Sequence, residues 1–274
     1  MLVDLHMHST CSDGRYTPEQ LVNTCYEKGI KVMALTDHDN LSGITPAMEA
    51  AALLPEPIKV LRGVEISTEK YHESIHIVGM HIDFDNLRLQ SKLREMRRRR
   101  KTRILKMVEK LVAMGYDIDI DLLNPTNRTI GRPHIAKLLV AAGYFEDSLE
   151  CFDKLLKRGA PAYVPQPKLS PEEAISLIHG AGGIAILAHP SEINDENVPE
   201  TLIKECNFDG MEVWHPSANS PELIQKWLEL AKQYNLMTSG GSDFHGIKGS
   251  RYPEELGLWK VQYEDVQDVI NWKL

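Results

Sequence analysis

The sequence predicts an α/β protein with a parallel sheet and a helical insertion, and three observations support this prediction. Short apolar segments alternate with amphipathic segments, as in the strand–helix units that build parallel sheets. Seven of the apolar segments end at or near a His, Asp or Glu, and the carboxyl ends of parallel strands share one rim. No confident strand pattern interrupts residues 87–160. We therefore predict a barrel domain from residues 1–86 and 161–274, with residues 87–160 as a helical cap.

Composition restricts the class of protein and its partners. The chain has 274 residues, enough for one large α/β domain, and a net charge of −8, which disfavours binding to duplex nucleic acid. It begins without a basic leader, and no apolar run approaches the ~20 residues that cross a bilayer. Cys11, Cys25, Cys151 and Cys206 are scattered without a C-x-x-C motif, which favours reduced thiols in the cytoplasm.

The first predicted strand, residues 1–5, ends in a pair of histidines. His6 and His8 are two residues apart, so they point to the same face of an extended chain. Two imidazoles that converge beyond a strand end suit a divalent metal, although an H-x-H pair also occurs by chance. Asp13 and Gly14 follow in a predicted turn.

The remaining elements follow from caps and periodicity. Thr17 is a predicted N-cap with Pro18 at the first helical position and Gln20 at the third, and Gly29 closes that helix. Ser170 opens a later helix with the same type of signal. Predicted strands cover residues 31–36, 58–67, 74–80, 183–188, 208–213 and, leading to Asp243, 237–239. Predicted helices cover 42–54, 87–114, 131–142, 148–157 and 221–234, with a short strand and a last helix in 256–274.

The predicted strand ends carry ligand-type residues in a combination that chance seldom gives. Histidine and carboxylate without cysteine suit Zn, Mn or Fe at a hydrolytic site, whereas a structural zinc usually has thiolate ligands. Nine candidate ligands exceed what one ion takes, so we predict two or three divalent ions with Glu65 as a bridging carboxylate. The strands end near His8, Asp37, Glu65, His76, His189, His215 and Asp243.

Five motifs together resemble the polymerase and histidinol phosphatase (PHP) family of metal-dependent phosphoesterases. They span residues 4–246 and leave only the insertion and the tail uncovered. The resemblance implies a distorted seven-stranded (β/α)7 barrel with a trinuclear metal centre, and the seven counted strands agree with it. The motifs are His6-x-His8, Thr36-Asp37-His38-Asp39, Gly63-Val64-Glu65, Ala188-His189-Pro190 and Ser242-Asp243-Phe244-His245.

The resemblance also implies the metal ligands, position by position. His72 and His81 lie close to His76 in the sequence, and a histidine inside a strand is often a hydrogen-bonded core residue. Asp37 and Asp39 are expected to orient ligands, or else to cap the following helix. The implied sites are His6, His8, Glu65 and Asp243; Glu65, His76 and His189; and Asp13, His38 and His245.

Asp13 distinguishes this chain within the family. Histidinol phosphatases and many polymerase-associated members tend to have a histidine at that position. The Cys-Ser-Asp13-Gly motif, joined to a cap of this length, resembles the subgroup that acts on nucleotides. That subgroup includes 3′,5′-nucleoside bisphosphate phosphatases and a 5′-to-3′ exoribonuclease that acts on short RNA. The resemblance therefore implies a small phosphorylated substrate, a nucleotide or a short RNA.

The run Arg97–Arg100 is the one charge cluster of the cap, and such a run is usually a solvated helix face. Stepping back from Ile104 by four and then three residues reaches Arg100 and Arg97, so these two continue the apolar side of the helix. Arg98 and Arg99 diverge from that side. We predict that Arg97 and Arg100 bind a substrate phosphate; a carboxylate on the barrel is the alternative partner.

Arg132 and His134 lie at a predicted helix start, where backbone N–H groups favour an anion. The nucleotide subgroup has a similar cap arginine and histidine in contact with substrate, so we predict the same role here. The alternative is that Pro133 only starts a helix with surface neighbours. Trp214 could stack on a base, although a Trp at such a position is more often part of the core.

The expected reaction is hydrolysis of a phosphate monoester of a small nucleotide, a nucleoside 5′-monophosphate or 3′,5′-bisphosphate, by a metal-bridging hydroxide. Asp37 and His215 are the candidates for the general acid. One alternative is a 5′-3′ exoribonuclease or phosphodiesterase on short RNA or cyclic phosphates. A histidinol phosphatase is disfavoured by Asp13, and a non-catalytic interaction module is disfavoured by the complete set of ligand types.

Overall fold

The computed structural model describes residues 1–123, 128–247 and 252–272, which form a mixed α/β structure. Its strands are β1 (Leu2–Asp4), β2 (Ile30–Leu35), β3 (Lys59–Lys70), β4 (Glu73–Met80), β5 (Ile184–Leu187), β6 (Gly210–Trp214), β7 (Met237–Gly240) and β8 (Val261–Gln262). Its helices are α1 (Pro18–Glu27), α2 (Ile44–Ala52), α3 (Leu87–Ala113), α4 (Arg132–Ala141), α5 (Ser148–Cys151), α6 (Pro171–Gly180), α7 (Val198–Glu205), α8 (Pro221–Gln233) and α9 (Tyr263–Ile270), with a π-helical turn at Phe152–Leu156 and 3₁₀ turns at Ile120–Leu123 and Pro190–Glu192.

The strands form one curved sheet in the order β7-β6-β5-β4-β3-β2-β1-β8. The sheet nearly closes into a barrel, because the chain after β1 continues along β7. There the Leu5 N–H donates to the Gly240 carbonyl at 3.1 Å, and Met7 forms a parallel bridge with Phe244. The predicted α/β barrel is therefore confirmed, with eight strands in the described residues instead of seven; the eighth is the two-residue β8, antiparallel to β1.

The expectation of an all-parallel arrangement is wrong for β4. This strand pairs antiparallel with both β3 and β5. The cause is a tight hairpin, in which Tyr71 and His72, with φ of 55° and 62°, connect Lys70 directly to Glu73. Positive φ at both central residues is the geometry of the two-residue turns that join antiparallel strands, so no helix crosses between β3 and β4.

The barrel helices form where the sequence provides caps and one apolar face. Thr17 and Ser170 each accept a hydrogen bond from the backbone three residues later, and each helix has a proline at its first position. Buried side chains of α6, α7 and α8 pack on the outside of the sheet. Val3, Val32 and Leu61 belong to a second cluster that packs the strands against α9.

Helix α3 is shared by two hydrophobic clusters. Its amino-terminal half places Leu89 and Leu93 in the cluster that covers the sheet. Its carboxyl-terminal half places Ile104 and Val108 in a separate cluster with α4 and the π-helical turn. The described residues between 87 and 160 contain no strand. We call this segment the cap; its boundaries as a domain stay a prediction. None of the helices in the described residues is long and apolar enough to cross a bilayer.

Candidate metal centre

The chain that follows β1 brings two predicted ligands to the barrel rim. His6 and His8 point inward while Met7 between them packs in the core beneath α1 and α2, as the alternation of an extended chain requires. Both imidazoles are fully buried, and their ring centroids are 5.2 Å apart. The predicted convergence of the H-x-H pair is therefore present in the fold.

His6 and His8 meet Glu65 of β3 and Asp243, which follows β7. Ligand atoms of these four buried residues all lie within 4.8 Å of one another. The His8 Nε2 atom is 3.2 Å from Glu65 Oε2 and 2.9 Å from Asp243 Oδ1, and the His6 Nε2 atom is 3.5 Å from each of the same oxygens. The first implied ligand set is thus assembled in one place.

Glu65 is the centre of the whole cluster. Its Oε1 lies 2.7 Å from His76 Nδ1 and 3.0 Å from His189 Nε2, and its Oε2 lies 2.8 Å from His38 Nδ1. With His6 and His8 included, the Glu65 carboxylate contacts five imidazoles. The antiparallel direction of β4 explains the position of His76, which lies opposite Ser67 in the amino-terminal half of the strand, at the same rim.

The two alternatives to His76 do not reach the rim. His72 is exposed at the tip of the β3–β4 hairpin. His81 follows the other end of β4, and its Nε2 lies 2.6 Å from the Val269 carbonyl of α9.

The third implied set, Asp13, His38 and His245, also converges, together with His8. Asp13 Oδ1 lies 3.3 Å from His245 Nε2, and its Oδ2 lies 3.9 Å from His38 Nε2. The His245 ring stacks on the His8 ring with centroids 4.2 Å apart. His38 therefore faces Glu65 with one nitrogen and Asp13 with the other, and connects the two parts of the cluster.

Several buried atoms of the cluster have no hydrogen-bond partner. Their arrangement shows whether the residues are suited to hold metal ions. A buried polar atom without a partner is costly, so native proteins rarely keep several together. Here such atoms face one another at short distances without hydrogen-bond geometry, as ligands do around a cation. Among the described residues they include His6 Nε2, His8 Nε2, Asp13 Oδ1, His38 Nδ1, Glu65 Oε2 and Asp243 Oδ1. A donor set of imidazole and carboxylate fits Zn, Mn or Fe.

The electrostatics of the rim favour ionised carboxylates. Burial raises the pKa of Glu65, but the surrounding imidazoles of His38, His76 and His6 outweigh it and hold that pKa well below its usual range. Burial lowers the pKa of His189, but the contact with Glu65 raises it to about 9. Burial lowers the pKa of His76 to about 4. Without a cation the cluster must hold protons on some imidazoles, and ions that bind there would displace them.

Glu212 of β6 is a functional residue that the sequence analysis missed. It is fully buried, its Oε1 lies 2.8 Å from His6 Nδ1, and its Oε2 accepts a hydrogen bond from the His189 backbone N–H at 2.8 Å. A carboxylate behind a ligand histidine fixes the ring orientation and raises its basicity. The available signal was a lone glutamate within an apolar strand, Gly210–Trp214.

Asp37 and Asp39 support the rim without pointing at its centre. Asp37 accepts hydrogen bonds from Ser9 N at 2.8 Å, Ser9 Oγ at 2.6 Å and Ser12 Oγ at 2.5 Å. It therefore anchors the loop that leads to Asp13, which favours a positioning role over that of a general acid. Asp39 accepts from the Ser67 N–H at 3.1 Å, and its φ of 51° is left-handed.

His215, which follows β6, reaches the centre as predicted. Its Nδ1 accepts from the Ser217 N–H at 3.1 Å, which favours the neutral tautomer with the proton on Nε2. That Nε2 is buried and lies 3.5 Å from Asp243 Oδ2. Neighbouring Trp214 is partly buried and packs against two hydrophobic clusters of the barrel, the more common place for a Trp at such a position.

The two inward arginines of α3 bind the barrel. Arg100 donates to the Asp39 carboxylate and, at 2.9 Å, to Ser67 Oγ, while Arg97 donates to the Asp39 carbonyl at 2.6 Å. The alternative weighed above, a carboxylate on the barrel as the arginine's anion, is therefore what the structure contains. These contacts fix α3 to the rim beside Glu65.

The other two predicted substrate contacts lie in the cap. His134 Nδ1 accepts from the Gly131 N–H at 3.0 Å, and its buried Nε2 has no hydrogen-bond partner among the described residues. Burial lowers the pKa of His134 to about 4. Arg132 donates to the Leu156 carbonyl at 3.3 Å, with its guanidinium 5.4 Å from the Phe152 ring centroid.

Two further cap cations, which the sequence analysis did not select, approach the Asp13 loop. Lys137 Nζ donates to the Asp13 carbonyl at 3.2 Å, and Arg128 Nε donates to the Ser12 carbonyl at 2.7 Å. The loop that carries Asp13 therefore lies against two positive charges of the cap.

Comparison with known proteins identifies relatives of this arrangement. The model of the PHP domain family matches residues 4–157. The chain is 35% identical over 251 residues to the 5′-3′ exoribonuclease Rnm of Escherichia coli, covering 89% of this chain and 85% of that protein. It is 35% identical over 255 residues to a 3′,5′-nucleoside bisphosphate phosphatase of Chromobacterium violaceum, covering 89% and 87%. The solved structure of a provisionally described metal-dependent phosphoesterase from Bifidobacterium adolescentis superimposes with a TM-score of 0.86 at 32% identity, covering 97% of this chain and 94% of that one.

Proposed function

Because this chain belongs to the PHP domain family and is a metal-dependent phosphoesterase, we propose that it hydrolyses a phosphate monoester of a small nucleotide. The observation that carries the proposal is the cluster of buried, unpartnered imidazole and carboxylate atoms around Glu65. Divalent ions held there would activate water and neutralise phosphoryl oxygens, the chemistry that monoester hydrolysis needs.

The proposed ligands are the nine predicted residues, with Glu65 shared between sites. We propose two or three ions, Mn, Zn or Fe, because three groups of donors that share His8, His38 or Glu65 meet at the rim, beside a fourth group of Glu192, His215 and Asp243. Glu212 holds His6 from behind, and the hydrogen bonds of Asp37 hold the loop that carries Asp13. The unpaired thiols Cys11, Cys25, Cys151 and Cys206 are consistent with a reducing, cytoplasmic compartment.

We propose His215 as the donor of a proton to the leaving oxygen. Its Nε2 carries the ring proton in the neutral form and faces Asp243 from the side of the cluster. The ring is held in place by Ser217, so the proton stays aimed at the site. Asp37 is a weaker candidate, because three donors already occupy its carboxylate.

The cap is proposed to recognise the phosphate and the nucleoside. His134, Arg128 and Lys137 approach the site from the Asp13 side, and an incoming anion would meet them there. Arg132 stays a predicted substrate contact. Arg97 and Arg100 act by holding the cap on the rim, since Asp39 occupies them.

A second candidate is 5′-3′ hydrolysis of short RNA at the same centre, the activity in the name of the E. coli relative. Adenosine 3′,5′-bisphosphate and a 5′-phosphorylated trinucleotide, assayed side by side with Mn, separate the two. Release of inorganic phosphate from the bisphosphate alone supports the first proposal, and release of nucleotides from the trinucleotide supports the second. Phosphate release that is unaffected by EDTA would refute both.

A further inference from the structure

His245, which follows β7, lies between two other rings. Its imidazole stacks on that of His8 with ring centroids 4.2 Å apart and planes 21° apart. It also stacks on the Tyr252 ring, with centroids 4.6 Å apart and planes 16° apart. Two rings this close to one face would contact each other, and the described residues contain no ring contact between His8 and Tyr252, so these two rings cover opposite faces of His245.

A hydrogen bond fixes the ligand nitrogen of His245 but not the tilt of its ring. The Nδ1 atom lies 2.7 Å from the Asp243 carbonyl, which a ring nitrogen approaches as an N–H donor, so Nε2 can act as a metal ligand. That Nε2 lies 3.3 Å from Asp13 Oδ1, in the group that also contains His38. One bond in the plane of the ring leaves the ring free to tilt, and the two stacking partners restrain this tilt.

Tyr252 is held in place by the chain that follows it. Pro253 restricts the backbone of the residue before it to extended conformations. A few residues later, Leu256 is buried in the hydrophobic cluster of Met7 and Phe244, the residues that precede the two stacked histidines. The tyrosine and both histidines are therefore anchored to the same part of the core.

The strength of this stack depends on whether His245 binds a cation. A divalent ion withdraws electron density from the imidazole that binds it, so that ring becomes positively polarised. The face of a phenol ring carries negative charge density and attracts a positive partner more strongly than a neutral one. Tyr252 should therefore stabilise the metal-bound state of His245 more than the metal-free state, and only such a difference can raise metal affinity.

We propose that Tyr252 is a positioning residue that strengthens the binding of a metal ion to His245 and Asp13. The inference rests on the proposed function, because it takes these two residues to be metal ligands. Tyr252 acts through His245 and does not touch the reacting atoms. The alternative is that Tyr252 only covers the His245 ring, in which case an apolar side chain without an aromatic face would serve equally well.

The test is a titration of the metal-free protein with Mn, in which the EPR signal measures the free ion. Tyr252→Leu removes the aromatic face but keeps an apolar side chain. We expect it to bind one Mn about 3- to 10-fold less tightly, the size of one aromatic or cation–π contact. Tyr252→Phe keeps the ring and should stay within about twofold of wild type.

A second background assigns the affected ion to His245. His245→Gln removes the imidazole on which Tyr252 stacks, so adding Tyr252→Leu to this variant should cause no further loss of Mn. The matched control is Tyr26→Leu, a half-buried tyrosine that packs beside the same cluster and makes no ring contact with a rim histidine in the described residues. It should keep the wild-type Mn affinity. The urea midpoint of each metal-free protein measures losses of packing separately from metal binding.

Equal Mn affinity in wild type and Tyr252→Leu overturns the inference, whatever the change in the urea midpoint. So does a loss in Tyr252→Phe as large as that in Tyr252→Leu, which would assign the effect to the hydroxyl group, or an undiminished loss in the His245→Gln background. A wild type that binds no Mn overturns both this inference and the proposed metal centre. A protein that shows the expected Mn differences but releases no phosphate from any nucleotide refutes the proposed function alone.

Discussion

The barrel rim and the outer face of α3 both concentrate charge, but they do so in opposite ways. At the rim, carboxylates and imidazoles are buried or half-buried and lie about 3 Å apart, so each group is fixed by its neighbours. On the outer face of α3, Arg98 and Lys106 are exposed and take part in no ion pair among the described residues, while the exposed Arg99 pairs with Glu95. The groups of the rim are therefore positioned precisely enough for catalysis, whereas the outer face can contribute only long-range attraction of anions. Substitutions in the two regions should differ accordingly.

The largest effect is expected at the centre of the rim. Glu65→Gln preserves the shape of the side chain but removes the charge that five imidazoles share. We expect loss of bound metal and a fall in phosphate release on the order of 10³-fold, because metal ions supply several kcal/mol of transition-state stabilisation. Metal analysis and a phosphate-release assay measure both quantities.

The control for this variant is Glu69→Gln, a partly exposed position further along β3. It should retain metal and activity. Equal metal content in the two variants would contradict the central role of Glu65, because the rim would then hold its ions without that carboxylate.

Glu212→Gln tests whether the carboxylate behind His6 contributes to metal binding at the rim. We expect a 10- to 100-fold loss of metal affinity, roughly the effect of removing the carboxylate behind a ligand histidine. Competition with a chelator measures it, and the exposed Glu229→Gln is the control. If the two variants retain metal equally, the contact between Glu212 and His6 is only part of the packing.

Adjacent arginines of α3 allow the comparison to be made within one helix. Arg100→Gln leaves the buried Asp39 carboxylate without its cation, so we expect roughly 1–3 kcal/mol lower stability to urea. Arg99→Gln removes only an exposed pair with Glu95, and the loss should be much smaller. Equal losses would show that the Arg100 contact is as weakly fixed as the surface pair.

The smallest expected effect is a pH dependence in the cap. Burial lowers the pKa of His134 to about 4 from 6.5, so between these values the unfolded chain binds a proton that the folded chain does not. Stability should therefore fall as pH falls from 6.5 toward 4, by roughly 1–2 kcal/mol at pH 5. His134→Gln, which keeps an acceptor for the Gly131 N–H, should lose less stability than wild type between pH 7 and pH 5.

The measurement is the urea midpoint at the two pH values in both proteins. An identical pH dependence would mean that His134 is accessible to a proton in the folded state. All other titratable groups are the same in the two proteins and cancel in the difference.

Much of the metal cluster could be predicted because residue type and strand position act together. His6, His8, Glu65 and Asp243 each lie at or just beyond an apolar segment, and parallel strand ends converge. The direction of β4 could not be predicted this way, since apolar alternation is the same for parallel and antiparallel strands. The signal for it is the short connection, because Tyr71 and His72 alone join the two strands and a parallel neighbour needs a crossover of about a dozen residues.

Contacts across the chain were the least predictable. Periodicity placed Arg100 on the inward side of α3 but could not choose between phosphate and Asp39, because that depends on how α3 lies on the rim. Glu212 was missed because one glutamate in a buried strand has no local signal of its partner, which is 206 residues away. Helix α7 was missed as well, although Asn197 followed by Pro199 and Glu200 is a helix start signal of the kind found before α1 and α6.

Because α3 runs unbroken through both hydrophobic clusters, a cap taken from a relative would be oriented by the length of this helix. No glycine or proline interrupts Leu87–Ala113, so the rotational phase of the barrel half is transmitted to the cap half. Inserting one residue between Met96 and Ile104 would turn the cap by about 100° and shift it by about 1.5 Å. A transplanted cap would need the same residue count, or a whole number of turns, to present its basic side to the same rim.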